Sequence, residues 1–251
     1  MEFDGDIARK TGSPSLLAVE AIKTQRAGEI GRSSGLFYVP KVISFDARAG
    51  VLEFERLRGL VTLFDLAVKK DPRLFELLEK TGRALAAIHR QLVLPDEVKH
   101  ELPVEWMGPA DENVFIHGDF AGFNLCFDES SQRLVILDWD SAPFLRQIAT
   151  YGSRFFDIVW FVNYVFYGAP RQCLFNWDAL RMANVFLSGY AEHYPQIGAR
   201  LAGDLAPLMR RYYRKTVWYL ARQRPWWRAA RYLLYQLLIY PRFACYQFEQ
   251  A

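Results

Sequence analysis

The sequence predicts an α+β protein with a small strand-rich part, residues 1–57, ahead of a larger helical part, residues 58–251. Three observations predict it. Runs rich in β-branched and aromatic residues cluster before Leu57, apolar residues recur at helical spacing from Leu63 onward, and Gly59 punctuates the change of pattern. Half of the 251 residues are apolar and 16% are aromatic, enough for one sizeable core or two closely packed lobes, which excludes global disorder.

In chain order, Phe3 and the run Ile7 to Lys10 flank Asp4-Gly5-Asp6, a hairpin signal because Asp-Gly supplies the positive φ of a tight turn; the chain is expected to open mid-sheet. Ser13 or Ser15 can cap a helix running to about Gly28, with Glu20 inside its apolar face. Tyr38 to Phe45 and Val51 to Leu57 read as an antiparallel pair. Leu63 to Leu92 read as two helices broken at Asp71-Pro72. Val114 to Ile116 and Leu134 to Leu137 are short strands around a polar segment that ends in Asn124 and leads into Leu125-Cys126-Phe127. Beyond Asp157 helices are expected, with breaks near Pro170, Pro195, Pro207, Pro225 and Pro241.

Composition narrows the setting. The acidic opening Met1-Glu2-Phe3-Asp4 lacks a secretory pattern, and the most apolar windows are too short to span a bilayer. Cys126, Cys173 and Cys245 are odd in number and widely spaced, so neither a disulfide framework nor a zinc site is indicated, and a cytoplasmic setting is expected. From Leu205 onward there are nine Lys or Arg against one acid, Glu249, so the rest of the chain is acidic and the tail basic.

The chemistry concentrates in HGDFAGFNLCFDESSQRLVILDWD, residues 117–140. Asp119 and Asn124 lie five apart on a loop, and the strand Leu134 to Leu137 delivers Asp138 at its end. If that strand pairs with Leu125 to Phe127, all three polar groups meet at one mouth. Amide and carboxylate oxygens suit Mg²⁺, which takes one or two protein ligands and completes its shell with phosphate and water, the arrangement used in phosphoryl transfer. The bland alternative is a turn that satisfies its own backbone, since Asp and Gly co-occur for conformational reasons. The joint spacing favours chemistry.

His117-Gly118-Asp119, Asn124 and Asp138-Trp139-Asp140 together resemble the signature of the aminoglycoside phosphotransferase, choline kinase and related protein-kinase-like families. The resemblance implies a two-lobed fold and a small-molecule kinase using ATP and Mg²⁺. It implies that Asp119 takes the proton of the attacking hydroxyl, that Asn124 and Asp138 hold the metal, and that His117 braces the loop. Asp140 would assist the metal or substrate, and Phe156-Asp157-Ile158 matches a bracing motif. Backbone groups near Glu55, Arg56 and Leu57 would receive adenine over a floor of Leu125, Phe127 and Ile136. Lys10 and Glu20 stand where the phosphate-gripping lysine and its helix partner belong. The glycine-rich hairpin expected before the Lys10 strand is not found, which leaves an upstream start, a reduced lobe or a lost nucleotide grip as explanations.

Other chemistries fit less well: the histidines show no metal-ligand spacing, no serine-nucleophile motif is present, and Gly118 to Gly122 lacks the Lys-Ser or Lys-Thr of a P-loop. His89, His100 and His193 carry no evident role. For the basic, aromatic tail, a plain core-facing helix, contact with an anionic membrane surface at the inner face, and a grip on an anionic small-molecule or glycan acceptor compete. Nucleic-acid binding is the least favoured, because charge alone gives only nonspecific affinity. The class-level alternative is a pseudokinase or binding module, and the sequence carries no signal for an oligomeric state.

Overall fold

The computed structural model describes residues 1–108, 113–170, 173, 176–244, 246 and 248. An N-terminal β-sheet is followed by a largely helical C-terminal part. Strands β1 (Glu2–Asp4), β2 (Ile7–Thr11), β3 (Val42–Asp46) and β4 (Val51–Glu55) form an antiparallel sheet in the order β1-β2-β4-β3, and α1 (Pro14–Ser34) packs on it. The Asp4–Asp6 turn forms with Gly5 at φ 55°, but the hairpin sits at the sheet's edge rather than in its middle, and all three β1 residues are exposed. Here the sheet's own small core is Ala8, Leu17, Ala21, Leu52 and Phe54.

Helix α1 runs past the expected Gly28 to Ser34. It stops at Gly35, whose positive φ of 66° lets its N–H return to the Gly31 carbonyl, a turn that a residue without Cβ makes cheaply. Ser13 precedes the helix but makes no side-chain cap; Pro14 at the first helical position presets φ instead.

Residues beyond Leu57 build most of the main core, and Val19, Ala27, Ile30, Phe37 and Val39 join it from α1 and the segment after it. A second sheet takes the order β5-β7-β8, from β5 (Leu60–Thr62), β7 (Leu125–Asp128) and β8 (Arg133–Ile136), and β6 (Asn113–Phe115) pairs with β9 (Tyr151–Ser153). Helices α2 (Leu63–Lys69) and α3 (Leu74–Gln91) are separated where Asp71-Pro72 predicts. They are joined by α4 (Phe155–Tyr167), α5 (Ala179–His193), α6 (Pro195–Arg222) and α7 (Trp226–Ala244). Strands β5 and β9 are not foreseen: each has three residues, too few to show a period.

Helices α3 and α5 cross so closely that a Cβ on Gly82 would lie 2.1 Å from the Phe186 carbonyl oxygen and one on Gly189 2.2 Å from that of Glu79. Helix α6 continues through Pro207 and α7 through Pro241, where breaks are expected. Pro207 faces solvent, so water can satisfy the carbonyl that its missing N–H strands. Cys126 and Cys173 are free thiols, while Cys245 and Glu249 lie outside the described residues.

Candidate active site

The loop 117–124 leaves β6, crosses the core and enters β7. His117 is fully buried, with its ring 4.4 Å from that of Trp139. Its Nδ1 accepts the Asp119 amide at 3.2 Å and its Nε2 donates to the Leu137 carbonyl at 3.2 Å. That pairing fixes the neutral Nε2–H tautomer, and burial pushes its pKa down to about 4. Gly118 follows at φ 90°, a conformation reserved for glycine, and turns Asp119 outward.

Asp119 Oδ1 accepts Trp160 Nε1–H at 2.8 Å and Oδ2 accepts Asn124 Nδ2–H at 3.3 Å; the same amide donates to the Asp119 carbonyl at 3.0 Å. Burial raises the Asp119 pKa to about 6, against the Trp160 hydrogen bond and with help from nearby Asp138. Asn124 keeps its side-chain oxygen without a partner among the described residues. From Asp119 a wall of rings runs outward: Trp160 lies 4.4 Å from Phe144, and Phe144 6.2 Å from Tyr219 of α6.

Two residues past β8, Asp138 adopts φ 53°, unusual for a side chain with a Cβ, and its Oδ1 meets Lys10 Nζ at 3.0 Å. Lys10, on β2, also meets Glu20 of α1 at 2.8 Å and Asp140 at 3.5 Å. Burial opposes the charge on Lys10, but the carboxylates of Asp138, Glu20 and Asp140 outweigh it and raise its pKa. Glu20 is buried, which raises its pKa despite the Lys10 contact. Asp140 also accepts the Ser141 amide at 2.7 Å.

Part of this array lines a cleft of about 460 Å³, within the usual range for small-ligand pockets, while Asp119 and Asp140 touch its lining residues Asn124 and Lys10 without lining it themselves. Lys10, Glu20, Glu55, Arg56, Leu57, Asn124 and Asp138 all border it. Leu125 and Ile136, expected on its floor, do not. They oppose each other in the β7–β8 register and are fully buried in the main core; Leu137, one residue on and so on the other face, lines the cleft with Leu60 and Trp139. The Glu55 and Arg56 amides are already engaged by the Lys41 and Asp6 carbonyls, at 2.9 Å each, which leaves Leu57 as the donor in that stretch.

Beneath the loop lies a second cluster that sequence reasoning misses in large part. Asp157 is fully buried and accepts the amides of His117 at 2.7 Å and Gly118 at 2.9 Å. His89 Nε2 donates to it at 3.0 Å, and His89 Nδ1 accepts the Tyr190 hydroxyl at 2.9 Å. The carboxylate can only accept, so His89 is the Nε2–H tautomer, and burial lowers its pKa. His89 therefore has a defined structural task. Burial would raise the Asp157 pKa, yet His89 and the loop amides lower it. Lys23, three residues after Glu20 on α1, is also buried and donates to the His117 carbonyl at 2.7 Å. Its spacing from Glu20 was the available signal, since residues three apart share a helix face.

No protein-family model matches the chain, and no curated protein is similar to it. Solved structures are. A glucosamine kinase shares 16% identity and a TM-score of 0.57 over 93% of this chain and 71% of its own. A glucosamine kinase in complex with glucosamine, ADP and inorganic phosphate shares 16% identity and a TM-score of 0.51 over 76% of this chain and 64% of its own, so the chain spans less than two thirds of that protein. The fold is that of small-molecule kinases. An amicoumacin kinase in complex with AMP-PNP and Ca²⁺ also matches, at 16% identity and a TM-score of 0.50 over 86% of this chain and 73% of its own. At such identity the likeness is one of fold, and it bears out the resemblance to the phosphotransferase and choline-kinase type.

The donor set in this kinase-like cleft has a definite character. Among the described residues no group of three or more His, Cys, Asp or Glu is placed to hold a metal. Asn124 and Asp138 instead offer an amide oxygen and a carboxylate, which suits a hard ion that draws its remaining ligands from phosphate and water.

Proposed function

We propose that the protein is an ATP- and Mg²⁺-dependent phosphotransferase acting on a hydroxyl of a small molecule, sugar, glycan or lipid-linked acceptor. The observation that carries this reading is that Asn124 and Asp138 border one cleft with the Lys10–Glu20 pair, and that the Asn124 amide ties the Asp119 carboxylate to its edge. In this reading residues 1–57 belong to the lobe over the nucleotide, and residues 58–251 form the lobe that carries the catalytic loop.

Asp119, ionised at neutral pH, accepts the proton of the acceptor hydroxyl, while Trp160 and Asn124 hold its two oxygens in place. Ala8, Phe54, Leu60 and Leu137 are the apolar lining of the cleft and would hold adenine, with the Leu57 N–H as backbone donor. Lys10, held by Glu20, would supply the positive charge for the phosphates. Asn124 and Asp138 would hold Mg²⁺, which when bound offsets the phosphate charge. The acceptor approaches along Trp160, Phe144 and Tyr219, whose ring faces suit a sugar.

Thermal unfolding with ATP and Mg²⁺ tests the reading. Nucleotide at 100 times its dissociation constant adds about 2.7 kcal/mol of stability. ADP release that requires a hydroxylic acceptor completes the case. A melting temperature unmoved by ATP with Mg²⁺ would refute it and leave a binding module.

A further inference from the structure

One side of α6 belongs to the main core through Leu205, Leu208, Met209, Tyr212 and Val217, and α7 packs against that core through Tyr232, Leu233 and Tyr240. The other side is unlike an ordinary water-facing surface. On α6, Arg211, Arg214, Trp218 and Arg222 are exposed and recur every three or four residues, which makes one stripe. Every residue of the bend 222–228, Arg-Gln-Arg-Pro-Trp-Trp-Arg, is exposed. On α7 the stripe continues through Trp227, Arg231, Leu234 and Leu237. Trp226 is 82% exposed, Leu234 65% and Leu237 66%, so these side chains gain little from folding.

Charge on this surface has one sign. From Leu205 to Phe248 the sequence holds nine Lys or Arg and no Asp or Glu. Among the described residues, no cation from Arg210 to Arg231 takes part in an ion pair. The Arg228 guanidinium lies over the Trp227 ring at 4.7 Å and that of Arg224 over the Tyr232 ring at 4.4 Å, where Arg224 also donates to the Leu220 carbonyl at 2.5 Å, so rings and a carbonyl stand where an acid would pair them.

Few partners satisfy both features. A two-fold contact with a second copy would press an acid-free surface against itself. Nucleic acid would answer the arginines but leave Leu234 and Leu237 in water. A bilayer surface with anionic headgroups answers both, with phosphates for the arginines and the interfacial zone for Trp and Leu. No described helix is long and apolar enough to cross a membrane, which fits contact at the surface. We propose that the α6–α7 bend is a binding site for anionic membranes, with Trp226 and Trp227 entering the headgroup layer and Leu234 and Leu237 following. This contact stands independently of phosphoryl transfer.

Co-flotation of the full chain with vesicles tests it, using phosphatidylcholine alone or mixed with phosphatidylglycerol, and thermal melts confirm that each variant is folded. Binding is expected only to the mixed vesicles, with a blue shift of tryptophan emission. Both Arg224→Glu with Arg228→Glu and Leu234→Ser with Leu237→Ser should weaken it about tenfold or more, since charge and apolar contact act together. Three results would overturn the proposal: no binding to the mixed vesicles, undiminished binding by the leucine variant together with equal competition by duplex DNA, or a dimer that buries Trp226 and stays off lipid. The first denies any contact, the second marks a general polyanion surface, and the third assigns the face to a second copy.

Discussion

Two clusters of carboxylate and cation lie on either side of the backbone of loop 117–124, and they are built to opposite rules. In the outer one, Lys10 is shared by Glu20, Asp138 and Asp140, and the side chains of Lys10, Asp138 and Asp140 are 23%, 47% and 35% exposed. In the inner one, Asp157 and His89 have no exposure, and their hydrogen bonds end on the loop's own amides or on Tyr190. Apart from the buried Glu20, the outer charges are held by one another in partial contact with water, so an arriving ligand can re-pair them cheaply. Inner charges have no solvent to fall back on, and removing one strands the rest. The cleft is thus a place for exchange, and the layer beneath it a fixed support.

The sharpest test of the contrast is Asp119→Asn, which keeps the shape of a residue assigned to exchange. Turnover should fall about 100-fold to 10,000-fold, the scale of losing a general base. In the wild type, activity should decline as pH falls through about 6, where Asp119 takes up its proton. Stability should move the other way. The folded pKa of about 6 exceeds the unfolded value of 3.8, so the ionised side chain costs stability fully above pH 6 and progressively less toward pH 4. The variant should therefore gain as much as about 3 kcal/mol above pH 6 and nothing below pH 4. A variant that loses both activity and stability would place Asp119 with the inner layer.

Asp157→Ala attacks the support. It leaves two buried loop amides and His89 without their acceptor, a break that costs about 3–5 kcal/mol. For a chain of this length that lowers the melting temperature by about 6–20 °C. A thermal melt reads it directly, and a change below about 1 kcal/mol would mean that the inner layer does not hold the loop.

The same contrast explains what could be read from the sequence. Outer-layer residues Asp119, Asn124 and Asp138 lie within 20 positions of one another, and their spacing is dictated by one hairpin, so the segment announced itself. Lys10 and Glu20 came from resemblance, and β2 and α1 bring them to Asp138. Inner-layer partners are contributed by α1, α3, α4 and α5, up to 101 positions apart, and no local pattern links His89 to Tyr190. Trp160, which holds Asp119 from 41 positions away, was invisible for the same reason. Leu125 and Ile136 show a different limit: apolar runs reveal a strand, but which residue faces the cleft depends on a register that only the pairing with β5 and β8 fixes.

Lys23→Met sharpens the boundary between the layers, because this buried ammonium touches the loop from α1. Burial lowers its pKa to about 8 from an ordinary 10.5, against the pull of Asp157 and the other carboxylates. The sign follows: the charged form is penalised in the fold, so the cost is fully present below pH 8 and fades as pH rises toward 10.5. Wild-type stability should climb over that window by up to about 3 kcal/mol, and the variant should lack the climb. Parallel stability curves for the two proteins between pH 8 and 10 would show that Lys23 is not the group titrating there.

The smallest effect is expected where neither layer is touched. Thr62 ends β5 and caps α2: its hydroxyl oxygen accepts the Asp65 amide at 3.0 Å, and its hydroxyl donates to the Asp65 carboxylate at 2.7 Å. Both bonds are exposed, so water replaces most of what Thr62→Ala removes, and the loss should be about 1 kcal/mol, typical of an N-cap. Turnover and its pH dependence should not change, since α2 contributes no side chain to the cleft's lining. A shifted pH profile in this variant would show that α2 positions the loop, and the division into exchanging cleft and fixed support would then have to include a third element.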